Sequence, residues 1–363
     1  MNVKEVIFHI ELFAPLSLQE SYDNAGLIIG DLQQEVSAVL LTIDTTEAII
    51  DEAIKCGANL IISHHPIIFS GLKKITGRNY IERTVLKAIK NNIAIYAAHT
   101  NLDAIKGGVN FKIAEKLGLS NTKILKPVTG ELFKLVCFVP QAHADKVRKA
   151  IFEAGAGHIG NYDSCSYNVE GIGTFKGNEN TNPFVGEKGK LHNEPETRIE
   201  TIFPKYQKRK VISALLKSHP YEEVAYDIYP LENEFYGAGM GVIGEIKPTD
   251  EKEFLKNIKN IFQCKVIKYT QLLNKPINKV ALCGGSGSSF LNEAIAHEAD
   301  IFISGDFKYH QFFDADNKII IADIGHFESE QFTLEIFYEI LTKKIANFAV
   351  HLPKMNSNPI NYL

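Results

Sequence analysis

The strongest constraint on the fold of this chain is an alternation of short apolar runs with longer amphipathic segments near both ends. In the first half it predicts three strands, at Ala38–Ile43, Leu60–Ser63 and Ile93–Ala98. The C-terminal third repeats it, with strands predicted at Lys279–Cys283, Ile301–Ser304 and Ile319–Ala322. Helices are predicted between and after them, at Thr45–Cys56, Arg78–Lys90, Gly108–Leu117, Phe290–His297 and Glu328–Lys344. Such alternation is typical of βαβ units, so we expect an α/β domain with one open, mostly parallel sheet formed by both chain ends.

The middle of the chain has a different pattern. It begins with a predicted strand at Lys134–Val139, a helix at Ala144–Ala154 and two extended segments at Ser164–Val169 and Gly173–Lys176. A mobile loop is predicted over Asn178–Glu196, followed by a strand at Arg198–Phe203, a helix at Lys208–Ser218 and a strand at Val224–Tyr229. This β-α-β-β-α-β order is that of a ferredoxin-like domain. We therefore interpret residues 131–235 as an inserted α+β domain that divides the α/β domain into residues 1–130 and 236–363.

Size and composition exclude several classes of protein. A chain of 363 residues is too long for one ordinary core. The net charge of −4 argues against a nucleic-acid partner, and the apolar runs are too short to span a membrane. An acidic residue, Glu5, so near the start argues against a signal peptide. The five cysteines are scattered and contain no C-x-x-C, which is typical of reduced thiols in a cytoplasmic protein.

Residue types that bind metals follow three of the predicted strands. His64 and His65 follow the strand at 60–63, and Asp103 follows the strand at 93–98. His326 and Glu330 follow the strand at 319–322 and are spaced so that both can lie on one face of a helix. Because sites in α/β sheets are built at the carboxyl ends of strands, we expect these five side chains to converge.

Five nitrogen and oxygen ligands exceed the needs of one catalytic zinc and suit two ions that share a bridging carboxylate, for which Asp103 is the natural candidate. The absence of cysteine favours zinc, manganese, iron or cobalt without selecting among them. Simpler roles stay open, since Asp103 can cap a helix and Glu330 can interact with a helix dipole. Three further residues can orient the ligands or act as general acid and base: His99, Asp306 and His310.

Two other runs have alternative interpretations. Gly284–Ser289 can cradle a phosphate, but it matches neither the dinucleotide-binding fingerprint nor the P-loop, so a tight strand-to-helix turn is favoured. His219–Glu223 offers further ligand types, although a solvated turn is the commoner role of such a run.

These motifs together resemble the Nif-three-like family of dinuclear-metal hexameric proteins, often called GTP cyclohydrolase I type 2 homologues. The resemblance covers essentially the whole chain and rests on these segments: Tyr22–Leu27, His64–Pro66, Ala98–Asp103, Gly107–Asn110, Gly284–Ser289, Ser304–Asp306 with His310, and Gly325–Glu330. One departure is Met240, where the family often has an arginine, and it puts an anion-binding role of that segment in doubt.

The resemblance implies that His64, His65, Asp103, His326 and Glu330 are the metal ligands, with two divalent ions per chain. It also implies a homohexamer of stacked trimers, and an insert similar to PII signalling proteins. The implied function is a metal-dependent hydrolase of a nucleotide or related small molecule, such as GTP ring opening, with catalytic residues unknown. The alternative is a non-catalytic metal-binding or regulatory hexamer whose insert senses a small molecule or gates the cavity. A fold alone does not decide between them.

Overall fold

Helices and strands alternate along most of the chain in the computed structural model, which describes residues 1–345 and 348–363. The helices in these residues are α1 (Val3–Phe13), α2 (Glu47–Cys56), α3 (Tyr80–Lys90), α4 (Thr100–Ala104), α5 (Val109–Lys116), α6 (Ala144–Glu153), α7 (Lys208–Ser218), α8 (Glu251–Ile261), α9 (Leu291–Ala296), α10 (His326–Glu330) and α11 (Thr333–Lys344). Short 3₁₀ helices lie at Leu16–Leu18, Gln141–His143, Lys205–Gln207, Ser288–Phe290 and Tyr309–Ala315.

The strands are β1 (Gly26–Ile29), β2 (Val39–Thr42), β3 (Leu60–Ser63), β4 (Ala94–Ala97), β5 (Ser120–Val128), β6 (Leu132–Pro140), β7 (Tyr167–Phe175), β8 (His192–Pro204), β9 (Tyr226–Leu231), β10 (Phe235–Thr249), β11 (Lys268–Tyr269), β12 (Ile277–Leu282), β13 (Ile301–Ser304), β14 (Ile320–Asp323) and β15 (Val350–His351). The chain divides into two compact units, one of residues Met1–Pro127 with Gly237–Leu363 and the other of Val128–Tyr236. In the described residues, no helix has the length and apolarity needed to cross a membrane.

The first unit contains two sheets. In one, the order is β1-β4-β3-β2-β15, with β1 antiparallel and the others parallel. In the other, the order is β11-β14-β13-β12-β10-β5, with β12, β13 and β14 parallel and both β10 and β11 antiparallel to their partners. The expectation of one open sheet was therefore wrong. Apolar periodicity locates strands but does not say which of them pair.

Every residue of the parallel strands β2, β3, β4, β13 and β14 is buried, as expected for strands covered on both faces. Helix α2 shows how the sequence delimits a covering helix. Thr46 accepts a hydrogen bond from the Ile49 N–H at its start, and Gly57 adopts a left-handed φ of 74° at its end. Its inward face buries Ile49, Ile50 and Ala53. The parallel strands are thus held rigidly, and the segments after their carboxyl ends are well positioned.

The second unit is a four-stranded antiparallel sheet in the order β7-β8-β6-β9, with α6 and α7 in the sequence positions between its strands. It has its own core, in which Leu135, Val147, Phe203 and Leu215 are among the buried residues. Two local expectations were wrong here. The two extended segments form one continuous strand, β7, and the loop expected over 178–196 ends at His192, where β8 begins.

The long helix expected at 328–344 is divided into α10 and α11. The amide of Gln331 donates hydrogen bonds to the carbonyls of Glu328 and Phe262, at 2.9 Å each. The Glu328 carbonyl thus gains a side-chain donor at the point where the first helix stops. No glycine or proline marks this break, so periodicity did not reveal it.

Candidate metal centre

Strand ends from both sheets of the first unit bring the five predicted ligands to one place. His64 and His65 follow β3, and Asp103 lies on α4 just after β4. His326 and Glu330 are the first and last residues of α10, which follows β14. His64 and Glu330 are almost completely buried, whereas the side chains of His65 and His326 are 22% and 33% exposed. The cluster therefore has a buried end and an end open to solvent.

The carboxylate of Glu330 has the most contacts within the cluster. Its Oε2 lies 3.0 Å from His65 Nε2 and 3.1 Å from His326 Nε2, and its Oε1 lies 3.6 Å from His64 Nε2. Asp103 Oδ1 lies 3.6 Å from the same His64 nitrogen. Asp103 and Glu330 thus flank His64, and it is Glu330 that reaches three of the histidines.

Each histidine of the cluster is held by a hydrogen bond at Nδ1. The acceptors are the Ala98 carbonyl for His64 at 2.9 Å, Asp44 for His65 at 2.7 Å, Asp23 for His99 at 2.8 Å and Asp306 for His326 at 2.7 Å. An imidazole whose Nδ1–H is donated in this way keeps a lone pair on Nε2. The same arrangement orients histidines that bind metals.

While His65 and His326 keep lone pairs on Nε2, three buried polar atoms in the cluster have no hydrogen-bond partner among the described residues: His64 Nε2, Asp103 Oδ1 and Glu330 Oε2. Two groups have ligand atoms that all lie within 4.8 Å of one another, His64 with His65 and His99, and His65 with His326 and Glu330. Burying polar atoms without a partner is costly. The residues present therefore fit a metal ion, which would satisfy these atoms.

The contacts and the burial within the cluster shift the pKa values of four of its residues. Burial opposes the charged form of His65, but hydrogen bonds with Asp44 and Glu330 outweigh it and raise the His65 pKa to about 10. Burial is likewise outweighed at His326, where Asp306 and Glu330 raise the pKa to about 11. The nearby histidines overcome burial to hold the pKa of Glu330 well below its usual range, whereas burial raises the pKa of Asp103. A divalent cation would replace the protons on His65 and His326.

The loop Gly284–Ser289 packs directly against the cluster. A Cβ on Gly285 would lie 2.2 Å from Glu330 Oε1, and the Gly285 φ of 60° is left-handed. The Gly285 N–H donates to Ser329 Oγ at 2.9 Å, which ties the loop to α10. The expected tight turn thus has a specific task here, because only glycine leaves room for the Glu330 carboxylate.

Of the three residues expected to orient the ligands or to act as general acid and base, two lie at the cluster and one does not. His99 and Asp306 both lie at the cluster, and His99 joins one of the two donor groups. His310 is exposed against Tyr309 and Phe313, and in the described part of the chain no hydrogen bond or ion pair joins it to the cluster. The sequence analysis missed the roles of Asp44 and Asp23. Asp44 follows β2, so the rule about strand ends could have revealed it.

In the run His219–Glu223, in the second unit, the favoured solvated turn holds for Glu222 and Glu223, which are exposed, but not for His219. His219 is buried, and its Nε2 lies 2.9 Å from the Phe138 carbonyl. Burial, the largest influence, lowers the pKa of His219. Met240, which stands where the family often has an arginine, is buried in β10 of the first unit.

Residues 1–359 match the family described as Duf34/NIF3 (NGG1p interacting factor 3). The chain belongs to the Duf34/NIF3 family. This confirms the resemblance drawn from the sequence motifs.

Curated relatives of this family member carry the name GTP cyclohydrolase 1 type 2 homolog. One from Halalkalibacterium halodurans is 46% identical over 328 residues, covering 90% of this chain and 88% of its own. One from Bacillus subtilis is 38% identical over 374 residues, covering 100% and 99%. Among solved structures, a Bacillus cereus protein related to NIF3 has a TM-score of 0.88 at 41% identity, with 100% of this chain and 99% of that chain covered.

Proposed function

We propose that this chain binds two divalent metal ions at the cluster and acts as a metal-dependent hydrolase on a nucleotide or related small molecule. The observation that carries the proposal is the convergence of three buried atoms without a partner, His64 Nε2, Asp103 Oδ1 and Glu330 Oε2. The Glu330 carboxylate is buried, that of Asp103 is 15% exposed, and several Nε2 lone pairs lie beside them, so divalent cations would satisfy the whole group.

Two ions are proposed because the donors form two overlapping groups. His65 belongs to both, and Glu330 reaches into each through its two oxygens. We therefore propose His64, His65, Asp103, His326 and Glu330 as the ligands, with His99 as a further donor. Glu330 would help Asp103 to hold the two ions, because its two oxygens contact three histidines. The nitrogen and oxygen donors suit zinc, manganese, iron or cobalt.

The protein's own part in the reaction is to hold the donors in fixed directions. Asp44, Asp306 and the Ala98 carbonyl accept the Nδ1–H bonds that turn three Nε2 lone pairs towards the cluster. When bound, a divalent pair supplies Lewis acidity and lowers the pKa of water to a value near neutrality. The partly exposed rings of His65 and His326 mark the side from which water and substrate reach the site.

The metal content can be measured directly. Elemental analysis of purified protein should give about two equivalents per chain, and Glu330→Gln and Asp103→Ala should each reduce it markedly. Glu328→Gln is the matched control, because it changes another buried carboxylate of α10 that lies outside both donor groups. One equivalent in wild type, unchanged in both ligand variants, would refute the dinuclear proposal.

The relatives' name supports GTP as a first substrate to test. GTP and a panel of phosphoesters should be assayed with wild type, with chelated and metal-restored protein, and with Glu330→Gln. We expect turnover of at least one substrate, lost on chelation and regained with metal. Metal binding at two equivalents without turnover of any substrate would favour the regulatory alternative, in which the ions are structural or stored.

We also propose a cytoplasmic homohexamer whose second unit is a ferredoxin-like, PII-like insert. The free state of all five cysteines supports the compartment. The sheet order β7-β8-β6-β9 with two helices supports the insert's fold. The exposed apolar side chains Phe8, Leu12, Tyr309 and Phe313 support self-association. Light scattering should give about six times the 40.5 kDa chain mass, and a monomer would refute the assembly.

A further inference from the structure

A cavity of about 580 Å³ lies wholly within the second unit, far along the chain from every proposed metal ligand. Gly171 and Gly173 of β7 line it together with aromatic residues, among them Phe175, Phe184 and Tyr221. The rings of Phe175 and Phe184 lie 5.9 and 6.4 Å from that of Tyr221. A volume of this size accommodates a small molecule, and the absence of side chains at the two glycines leaves room beside the rings.

A buried carboxylate points into this cavity. Glu196 on β8 is only 8% exposed, and its Oε1 accepts a hydrogen bond of 2.9 Å from the Tyr221 hydroxyl. None of the described side chains donates a hydrogen bond to the other oxygen, Oε2, and no described cation pairs with Glu196. Most of the Glu196 side chain is therefore buried, while its free oxygen stays accessible from the cavity, where a donor or a cation of a ligand can reach it.

The charges around the cavity favour a cation. Four acidic residues line it against two basic ones: Glu170, Glu196, Glu222 and Glu223 against Lys176 and Arg198. Arg198 is already paired with Glu200 at 2.8 Å. Aromatic faces attract cations as well, most strongly where water is excluded. An anionic ligand would meet net repulsion here.

We propose that this cavity binds a small organic amine with a flat apolar body, whose ammonium group pairs with Glu196 Oε2 while its body packs against Phe175, Phe184 and Tyr221. The inference is independent of the metal centre, because every lining residue lies between Phe138 and Ala225.

The two glycines of β7 provide a matched pair of variants. A Cβ on Gly173 would lie 2.1 Å from Glu196 Oε2, whereas a Cβ on Gly171 would meet nothing within 4 Å. Both residues line the cavity on the same strand, so Gly173→Ala and Gly171→Ala have the same chemistry and differ in their effect on the carboxylate. Glu196→Gln removes the charge at nearly constant size and can still accept from Tyr221.

The test is calorimetric titration of the full chain at neutral pH with benzylamine, phenethylamine and tryptamine, each compared with its neutral counterpart benzyl alcohol, 2-phenylethanol or tryptophol. We expect at least one amine to bind about tenfold or more tightly than its alcohol. Glu196→Gln should abolish this preference and Gly173→Ala should weaken amine binding several-fold, while Gly171→Ala should match wild type.

Three results would overturn the proposal: no amine preference in wild type, a preference that survives Glu196→Gln, or equal effects of the two glycine variants. If Gly173→Ala fails to fold, the comparison of wild type with Glu196→Gln still decides the matter.

Discussion

At the scale of single residues, the cluster depends on side chains that never need to touch a metal. Asp44 is an example, because its Oδ1 receives the Nδ1–H of His65 while its Oδ2 accepts from Ser357 Oγ at 3.1 Å. Removing such an oxygen frees the imidazole to rotate and weakens the basicity of Nε2. The orientation of His65 is thus a property of β2 and its following residue as much as of β3.

We predict that Asp44→Ala lowers metal affinity about 10- to 100-fold, the usual effect of losing a partner of this kind. Competition with a chromophoric chelator measures the change. Ser357→Ala is the matched control, since it removes the contact to Oδ2 and leaves the bond to His65 intact. Equal affinities of wild type and Asp44→Ala would show that His65 is held by other contacts.

Asp300 makes a pH-dependent contribution away from the cluster. It accepts from the N–H groups of Asn278 and Lys279 and pairs with Lys275 at 2.8 Å. Burial opposes the charged form, but the Lys275 contact and the two N–H bonds outweigh it and lower the Asp300 pKa. Because the folded pKa is depressed, this stabilisation is present above the unfolded pKa of about 3.9 and is lost as the pH falls through the folded value.

Asp300→Asn should therefore lower the free energy of unfolding at pH 7 by about 1–3 kcal/mol. The difference from wild type should shrink as the pH falls below about 4. Urea unfolding at pH 7, 5 and 3.5 measures both effects. A deficit that stays constant over this range would mean that packing, and not the charge, accounts for it.

At the scale of helices and strands, the sequence predicted the buried parallel elements closely and the antiparallel ones poorly. The strands Leu60–Ser63 and Ile301–Ser304 have the bounds predicted from apolar runs, because complete burial makes such runs continuous. Strands β5 and β10 have mixed patterns of exposure and were not predicted. The candidate site shows the same contrast between what the sequence pattern predicts and what depends on strand pairing. The ligand types stood at strand ends, but the pairing of His65 with Asp44 depends on sheet order.

The start of helix α8 depends on a capping residue, Asp250, that stands in the sequence just before the helix. The Asp250 carboxylate accepts from the N–H groups of Lys252 and Glu253, at 3.0 and 3.1 Å. Asp250→Ala should lower the free energy of unfolding by about 1 kcal/mol, and Asp250→Ser should lose much less because a hydroxyl can also cap the helix. Chemical denaturation of the three proteins measures this. Equal losses in both variants would assign the effect to charge instead of capping.

At the scale of the whole molecule, each half of the first unit completes a sheet of the other. Strand β15, near the C-terminus, pairs with β2, and β5, from the first half, lies beside β10. The cluster needs both sheets, because His64 follows β3 of one and Glu330 follows β14 of the other. The two halves are therefore interdependent, although more than a hundred residues of the second unit separate them in sequence.

The points where the chain leaves and re-enters the first unit are close together. A Cβ on Gly239 would lie 2.7 Å from Pro127 Cα and 2.2 Å from the Lys126 carbonyl oxygen. A linker of about four glycine and serine residues can span such a gap. We predict that a variant lacking 128–236, with residues 127 and 237 joined in this way, folds and keeps its metal content. The second unit should fold alone, because its core is its own.

Circular dichroism, thermal unfolding and elemental analysis of the two pieces test this prediction. The control joins residue 127 to residue 246 with the same linker. It removes the part of β10 that pairs with β12 from Val242 to Glu245, so it should lose the second sheet and with it the metal. If the first deletion aggregates and loses metal as the control does, the second unit is required for folding of the first. In that case the first unit would not fold independently, and the metal centre would depend on the second unit as well.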